Sequence, residues 1–166
     1  GAFSTGFLLY GISMLYGATG STILPQIISE IQKDGNNNPL VIVGMALVVI
    51  AMSFKIAIVP FHMWTPDVYT GAPTPVTGFL SAAAKAAGFA VFVRVILTGI
   101  PLENANWENV FWILAVLSMT VGNLMALRQS EVKRMLAFSS IAHAGYVLVA
   151  VVVGSASAIS GMIFYS

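Results

Sequence analysis

The stretch FKIAIVPFHMWTPDVYTGAPTPV, residues 54–76, decides the fold because it interrupts an apolar run in a way that lipid does not tolerate. Lys55 closes the apolar run, and Pro60 is the first of four prolines that follow it. Proline removes a backbone N–H, and its ring clashes with the carbonyl four residues earlier, so a helix that reaches Pro60 must break. At membrane depth, the freed backbone groups must be buried in protein or line a wet cavity. The stretch therefore predicts an interrupted helix in the interior of a helix bundle.

The composition indicates that this bundle lies in a membrane. Of the 166 residues, 58% are hydrophobic and 8% are charged, whereas ordinary soluble domains have about 25% charged residues. Charged side chains are absent from residues 1–29, 35–54, 68–84, 109–127 and 135–166. A bilayer core about 30 Å thick needs about 20 apolar residues of helix. We therefore predict an all-α, polytopic transmembrane helix bundle; the alternative is a helical core buried in a large soluble assembly.

The apolar segments give a predicted topology for one membrane domain, residues 1–166, that is part of a longer polypeptide. The predicted spans are residues 3–19, 39–68 with the interruption at Pro60–Pro75, 74–100, 107–127, 134–154, and the start of a sixth at 156–166. If the spans alternate in direction, the loops near 61–73 and 128–134 share one side. Arg128, Lys133 and Arg134 make that side the more basic one, which the positive-inside rule places in the cytoplasm.

Several kinds of site are disfavoured by the sequence. The formal net charge is +1 and the basic residues are few, so no nucleic-acid partner is predicted. The chain has no cysteine, which excludes disulfides, iron–sulfur ligation and thiolate metal sites within it. Paired carboxylates, histidine clusters and glycine-rich phosphate loops are also missing. We therefore predict that this chain binds neither a cofactor nor a metal. We also predict that a lipid bilayer surrounds it.

Lys55 is the first candidate site residue. Counted from Pro39, it lies about 24 Å along a helix, past the middle of the span but still inside it. A break at Pro60 frees backbone carbonyls beside the lysine, which could hold its ammonium. The alternative is that Lys55 extends its side chain to the cytoplasmic headgroups.

Lys85 lies deeper in its predicted span, about 16 Å from a start at Thr74. The surrounding residues 81–88 are otherwise small, which allows close helix packing or leaves room for water. An ionisable residue inside a bundle is a functional hypothesis by default; the alternative is a structural pair with a carboxylate. Because lysine can lose its proton when buried and arginine does not, Lys55 and Lys85 could load and release a proton.

Two histidines are further candidates. His62 follows Pro60 by two residues, and it is either a proton relay near the cytoplasmic mouth or an interfacial histidine. His143 lies nine residues beyond Arg134 in an apolar segment, where a side chain that titrates near neutral pH suits a proton path. The alternative is that His143 is a packing residue hydrogen-bonded near Ser139 or Ser140.

Three stretches together resemble a known family. They are LLYGISMLYGATGST at 8–22, PFHMWTPDVYTGAPTPV at 60–76 and KRMLAFSSIAHAGY at 133–146. The chain is similar in them to the antiporter-like, proton-translocating membrane subunits of respiratory complex I (NADH:quinone oxidoreductase), and most of all to the N subunits, called subunit 2 in mitochondria. The resemblance covers essentially all 166 residues.

The resemblance implies roles for several residues. It places the essential lysine of an interrupted helix at Lys55, a second lysine at Lys85, and a histidine of the central hydrophilic axis at His143. Pro60–Val68 would be the short second half of the interrupted helix. The family's glutamate partner of the first lysine would precede Gly1, and its exit lysine would follow residue 166.

The same resemblance implies the cellular setting. The chain would pump protons as one subunit of a translocase, driven by electron transfer in other membrane and peripheral subunits that hold NADH, FMN, iron–sulfur clusters and quinone. A bacterial plasma membrane is the expected location, with an organelle inner membrane or a thylakoid as alternatives. The alternative functions are a subunit of a sodium/proton antiporter, a membrane-bound hydrogenase or a photosynthetic relative of complex I, and a structural subunit that moves no ions.

Overall fold

The chain is mainly helical in the part that the computed structural model describes, residues 1–33, 38–99, 105–154 and 161, and no β-strand occurs there. The helices are α1 (Ala2–Thr19), α2 (Leu24–Lys33), α3 (Pro39–Ile56), α4 (Trp64–Gly71), α5 (Thr74–Phe79), α6 (Lys85–Gly99), α7 (Ala105–Leu127) and α8 (Val132–Val153). Five residues of π-helix, Leu80–Ala84, join α5 to α6. The predicted all-α fold class is confirmed. Apart from Gly161, the predicted sixth segment lies outside the described residues.

Four helical stretches in these ranges are long and apolar enough to cross a membrane. They are Pro39–Ile56, Thr74–Ile96, Trp107–Leu127 and Val132–Val153. The pair α1 and α2, bent by 57°, would make a fifth span if the two helices count as one. The prediction of a polytopic membrane bundle is therefore confirmed, whereas the assignment of residues 1–166 to a single domain stays a prediction.

The helices form two compact units, and the first contains residues 1–55 together with the part of α6 that begins at Val91. Glycine brings α1 against α3 in this unit, since a Cβ on Gly11 would lie 2.9 Å from the carbonyl oxygen of Gly44. α1 ends at Gly20, whose φ of 68° lets its N–H reach the carbonyl of Tyr16 at 2.7 Å. Apolar side chains of α1, α2 and α3 line a cavity of about 240 Å³.

The second unit contains residues 56–90 together with α7 and α8. Two glycines bring α7 and α8 into backbone contact. A Cβ on Gly122 would lie 2.7 Å from the backbone nitrogen of Ala142, and one on Gly145 would lie 2.9 Å from the carbonyl oxygen of Ala115. One face of α8 is buried by this packing, which fixes the position of the helix within the unit.

The interrupted helix is present, but the second half does not begin where the resemblance placed it. α3 ends at Ile56, Ala57 has a left-handed φ of 61°, and turns occupy the residues up to Met63. The short helix α4 then runs from Trp64 to Gly71 rather than from Pro60 to Val68. This start puts Pro66 in the first turn of α4, where its missing N–H needs no partner. The predicted bounds were therefore wrong by a few residues at each end.

Candidate functional site

Lys85 has the best-defined environment of the predicted site residues. Its Nζ donates to the carbonyl oxygen of Ser140 at 2.7 Å and to the hydroxyl oxygen of the same residue at 2.9 Å. The Ser140 hydroxyl in turn donates to the carbonyl of Ala137 at 2.9 Å. Neutral oxygens of α8 therefore hold the amine, and no carboxylate lies within ion-pair distance in the part of the chain that the structure describes.

A π-helical turn directly precedes Lys85 and sets the direction in which its side chain leaves the helix. Leu80–Ala84 form this turn, and Lys85 is the residue that ends it. Such turns place an extra residue in a helix and are frequent at functional sites. Gly88, one turn further along α6, allows a close approach to the end of α3, because a Cβ there would lie 2.8 Å from Cγ2 of Ile56. Lys85 therefore belongs to a helix that packs against the interruption.

Ser118 on α7 stabilises the interruption. Its hydroxyl accepts the backbone N–H of Val59 at 3.0 Å and donates to the carbonyl of Leu114 at 2.7 Å. Both Ser118 and the turn residues Ala57 and Ile58 are fully buried. An N–H freed by a broken helix needs such a partner when no water reaches it. Sequence reasoning missed Ser118, whose only signal is a hydroxyl in the apolar run 109–127.

The turn between α3 and α4 carries the other two predicted residues of this region. Pro60 lies at an exposed position in the turn, four residues after the last residue of α3. His62 is half-buried in the same turn, and its backbone carbonyl accepts the N–H of Thr65 at 3.0 Å. Both residues therefore lie in the turn between α3 and α4, and their predicted roles stay predictions.

His143 lies on α8, one turn beyond Ser140. Its ring is exposed rather than packed into the unit, and the ring centroid lies 5.7 Å from that of Tyr146. Ser140, which accepts from Lys85, and His143 are three residues apart on α8 and therefore share a helix face. Whether His143 is a relay or a packing residue hydrogen-bonded near Ser139 or Ser140 stays a prediction.

Lys55 is the penultimate residue of α3 and belongs to the other compact unit. Its side chain is exposed, and no hydrogen bond or ion pair reaches it within residues 1–33, 38–99 and 105–154. The last turn of a helix carries unpaired carbonyls and the negative end of the helix dipole, which favours a cation there. Lys55 therefore lies at a helix end, a position where a cation is generally favoured.

Two cations at the start of α8 hold the short helix α4. Arg134 donates to the carboxylate of Asp67 at 2.9 Å, and Lys133 Nζ donates to the carbonyl of Ala72 at 3.2 Å. The two loops predicted to share one side of the membrane are therefore in contact. Asp67 also lies in the first turn of α4, where a carboxylate is favoured by the helix dipole.

Comparison with known proteins identifies the family. The family described as NADH:quinone oxidoreductase/Mrp antiporter, TM, matches residues 1–166. The chain is 57% identical to subunit N of the NADH-quinone oxidoreductase of Trichlorobacter lovleyi, over 99% of this chain and 34% of that protein.

Two solved structures support the same conclusion. A chain of respiratory complex I from Thermus thermophilus is 42% identical with a TM-score of 0.78, over 99% of this chain and 35% of that one. A chain of the membrane-bound sulfane sulfur reductase, an archaeal respiratory membrane complex, is 29% identical with a TM-score of 0.87. The match covers 99% of this chain and 34% of that one. The chain spans about a third of the length of each of these relatives.

The match agrees with the resemblance carried by the three sequence stretches, and that prediction is confirmed. The helices that hold Lys55, Lys85 and His143 all lie within the matched residues. The chain belongs to the NADH:quinone oxidoreductase/Mrp antiporter transmembrane family.

Proposed function

We propose that this chain is part of an N-type subunit of NADH:quinone oxidoreductase and carries protons across the membrane on Lys55 and Lys85. The observation that carries the proposal is the environment of Lys85. Its Nζ lies within the span Thr74–Ile96 and is held by the two oxygens of Ser140, both of which are neutral. An amine without a fixed counter-charge can exist with or without its proton, which a relay requires.

The proposed path begins at the interruption. A proton from the cytoplasmic side reaches Lys55 at the end of α3, passes to Lys85, and moves on along the face of α8 that bears His143. His62 lies in the turn beside the entry and is a second candidate relay. Moving one charge across about 150 mV requires about 3.5 kcal/mol, and we expect electron transfer in partner subunits to supply it.

The partners follow from this role. We expect NADH, FMN, iron–sulfur clusters and quinone to be bound by other subunits of the complex, so the chain acts as part of a translocase without a redox centre of its own. The 57% identity to a bacterial subunit N supports this class over the related antiporters and hydrogenases. A bacterial plasma membrane is the proposed location.

The proposal is tested in the intact complex, reconstituted in vesicles, with Lys85→Ala and Lys55→Ala in the full-length subunit. Each variant should assemble and oxidise NADH with an artificial electron acceptor at the normal rate, yet lose proton translocation. Lys33→Ala is the matched control, because Lys33 is exposed and pairs with Glu30 at 2.6 Å outside the predicted path. Normal pumping in both Lys55→Ala and Lys85→Ala would show a structural subunit instead.

A further inference from the structure

We propose that Ser140 is a positioning residue that docks the protonated form of Lys85 on α8 and releases the neutral form. This role rests on the proposed function, since it matters only if Lys85 carries protons. The proposal starts from a contact between residues 55 positions apart in sequence, in which one residue supplies two acceptors to the same amine.

The Ser140 hydroxyl is oriented as an acceptor toward Lys85. A serine hydroxyl has one proton to donate, and here that proton is directed to the carbonyl of Ala137 at 2.9 Å. The lone pairs of the same oxygen remain for Lys85 Nζ at 2.9 Å, and the Ser140 carbonyl oxygen accepts a second N–H at 2.7 Å. Both oxygens therefore accept from the amine, and neither donates to it.

Two acceptors discriminate between the forms of an amine. Hydrogen bonds from an ionised donor are shorter and about twice as strong as bonds between neutral groups. An ammonium has three N–H donors, whereas a neutral amine has two and a lone pair. The lone pair would need a hydrogen-bond donor, and both Ser140 oxygens act only as acceptors toward Lys85. Ser140 therefore holds Lys85 firmly when it is charged and loosely after it has given up the proton.

The position of Ser140 does not depend on Lys85. Close contacts at Gly122 and Gly145 fix α8 against α7, and Lys133 and Arg134 at the start of α8 also contact α4. By contrast, Lys85 is a long side chain at the end of a π-helical turn. The serine is thus the stationary partner and the lysine is the one that moves.

The test uses the full-length subunit in the assembled complex, with Ser140→Ala, Ser140→Thr and the neighbouring Ser139→Ala as a control. Ser140→Ala should reduce the rate of proton translocation relative to NADH oxidation by about tenfold, the effect of losing one hydrogen bond to a charged group. Ser140→Thr keeps the hydroxyl and should restore the rate, and Ser139→Ala should not change it. A normal rate in Ser140→Ala, or an equal loss in Ser140→Thr, would overturn the docking role.

A double-mutant cycle separates this role from a general packing effect. Because Lys85→Met is itself expected to lose pumping, the cycle is measured by thermal unfolding of the complex: in the Lys85→Met background, Ser140→Ala should cause no further loss of stability, because its effect acts through the lysine. Independent, additive losses would overturn the proposal. Normal pumping in Lys85→Met alone would contradict the proposed function itself, whereas loss in Lys85→Met with normal pumping in Ser140→Ala would contradict only the role of Ser140.

Discussion

Lys55 and Lys85 are alike in sequence and different in structure. Each is the single lysine of a long apolar stretch, and each was predicted as a proton carrier. Lys85 is half-buried, with two hydrogen bonds to Ser140 on a neighbouring helix. Lys55 is exposed at the end of α3, a helix terminus where the helix dipole favours a cation.

The difference indicates two environments for a lysine on an apolar helix. Lys85 is stabilised by side-chain and backbone oxygens of a specific partner, so its environment depends on how α8 is placed. Lys55 lies at the helix terminus that the interruption creates, where the helix dipole favours a cation, so its environment depends on where α3 ends. Four predictions test this distinction, starting from the largest expected effect.

Replacing either lysine by arginine should abolish proton translocation, because arginine stays protonated. We expect a loss of about a hundredfold, equivalent to about 2.7 kcal/mol in the barrier, measured in vesicles against NADH oxidation. The two variants should differ in a second measurement, the melting temperature of the complex, because the two lysines have different surroundings. Lys85→Arg should lower it, because the larger guanidinium must be accommodated at a half-buried position, whereas Lys55 is exposed and leaves room for an arginine. Equal melting temperatures would contradict the distinction.

Gly145→Ala should destabilise the unit that holds Lys85. The new Cβ would lie 2.7 Å from Met119 Cγ and 2.9 Å from the Ala115 carbonyl oxygen. Since part of this obstacle is backbone, we expect a loss of about 2.5 kcal/mol in the free energy of unfolding. Gly78→Ala is the control, because no atom lies within 4 Å of a Cβ there. Thermal unfolding of the complex measures both, and a similar stability of the two variants would contradict the packing of α8.

Ser118→Ala should destabilise the interruption that gives Lys55 its helix end. The variant leaves the Val59 N–H buried without an acceptor, which costs about 2 kcal/mol. Thr120→Ala, two residues along α7, is the control because its exposed hydroxyl bonds only to Val116 of its own helix. Thermal unfolding should show a lower midpoint for Ser118→Ala alone. The same midpoint in both would mean that another group satisfies the Val59 N–H.

Arg134→Ala should have the smallest effect. The ion pair with Asp67 is exposed, with 39% and 71% of the two side chains accessible, so it contributes about 0.5 kcal/mol. Added salt should remove most of the difference in melting temperature between wild type and the variant. A large, salt-independent loss would show that α4 depends on this pair for its position beside α8.

Much of the fold could be predicted from local sequence. Long apolar runs separated by charges predicted the spans, because each run must match the bilayer, and proline chemistry predicted the interruption. The prediction placed the second half of the interrupted helix too early. The clash of Pro60 explains why α3 ends at Ile56, but the start of α4 depends on turns formed by residues 57–63.

The partners in the site could not be predicted in the same way. The contacts of Lys85 with Ser140 and of Val59 with Ser118 join residues 55 and 59 positions apart, so they exist only once the helices are packed. The π-helical turn before Lys85 had no sequence signal, since a run of small residues suits a regular helix equally well. Candidate residues were visible in the sequence because charge in an apolar run is rare, but their environments are a product of packing.

The central claim is that Lys85 alternates between an ammonium and a neutral amine during turnover. Infrared difference spectroscopy of the complex with isotope-labelled lysine, triggered by adding NADH, measures this directly. We predict that an ammonium band disappears and returns during turnover and that the change is absent from Lys85→Met. A Lys85 ammonium band that stays constant throughout turnover would contradict the account.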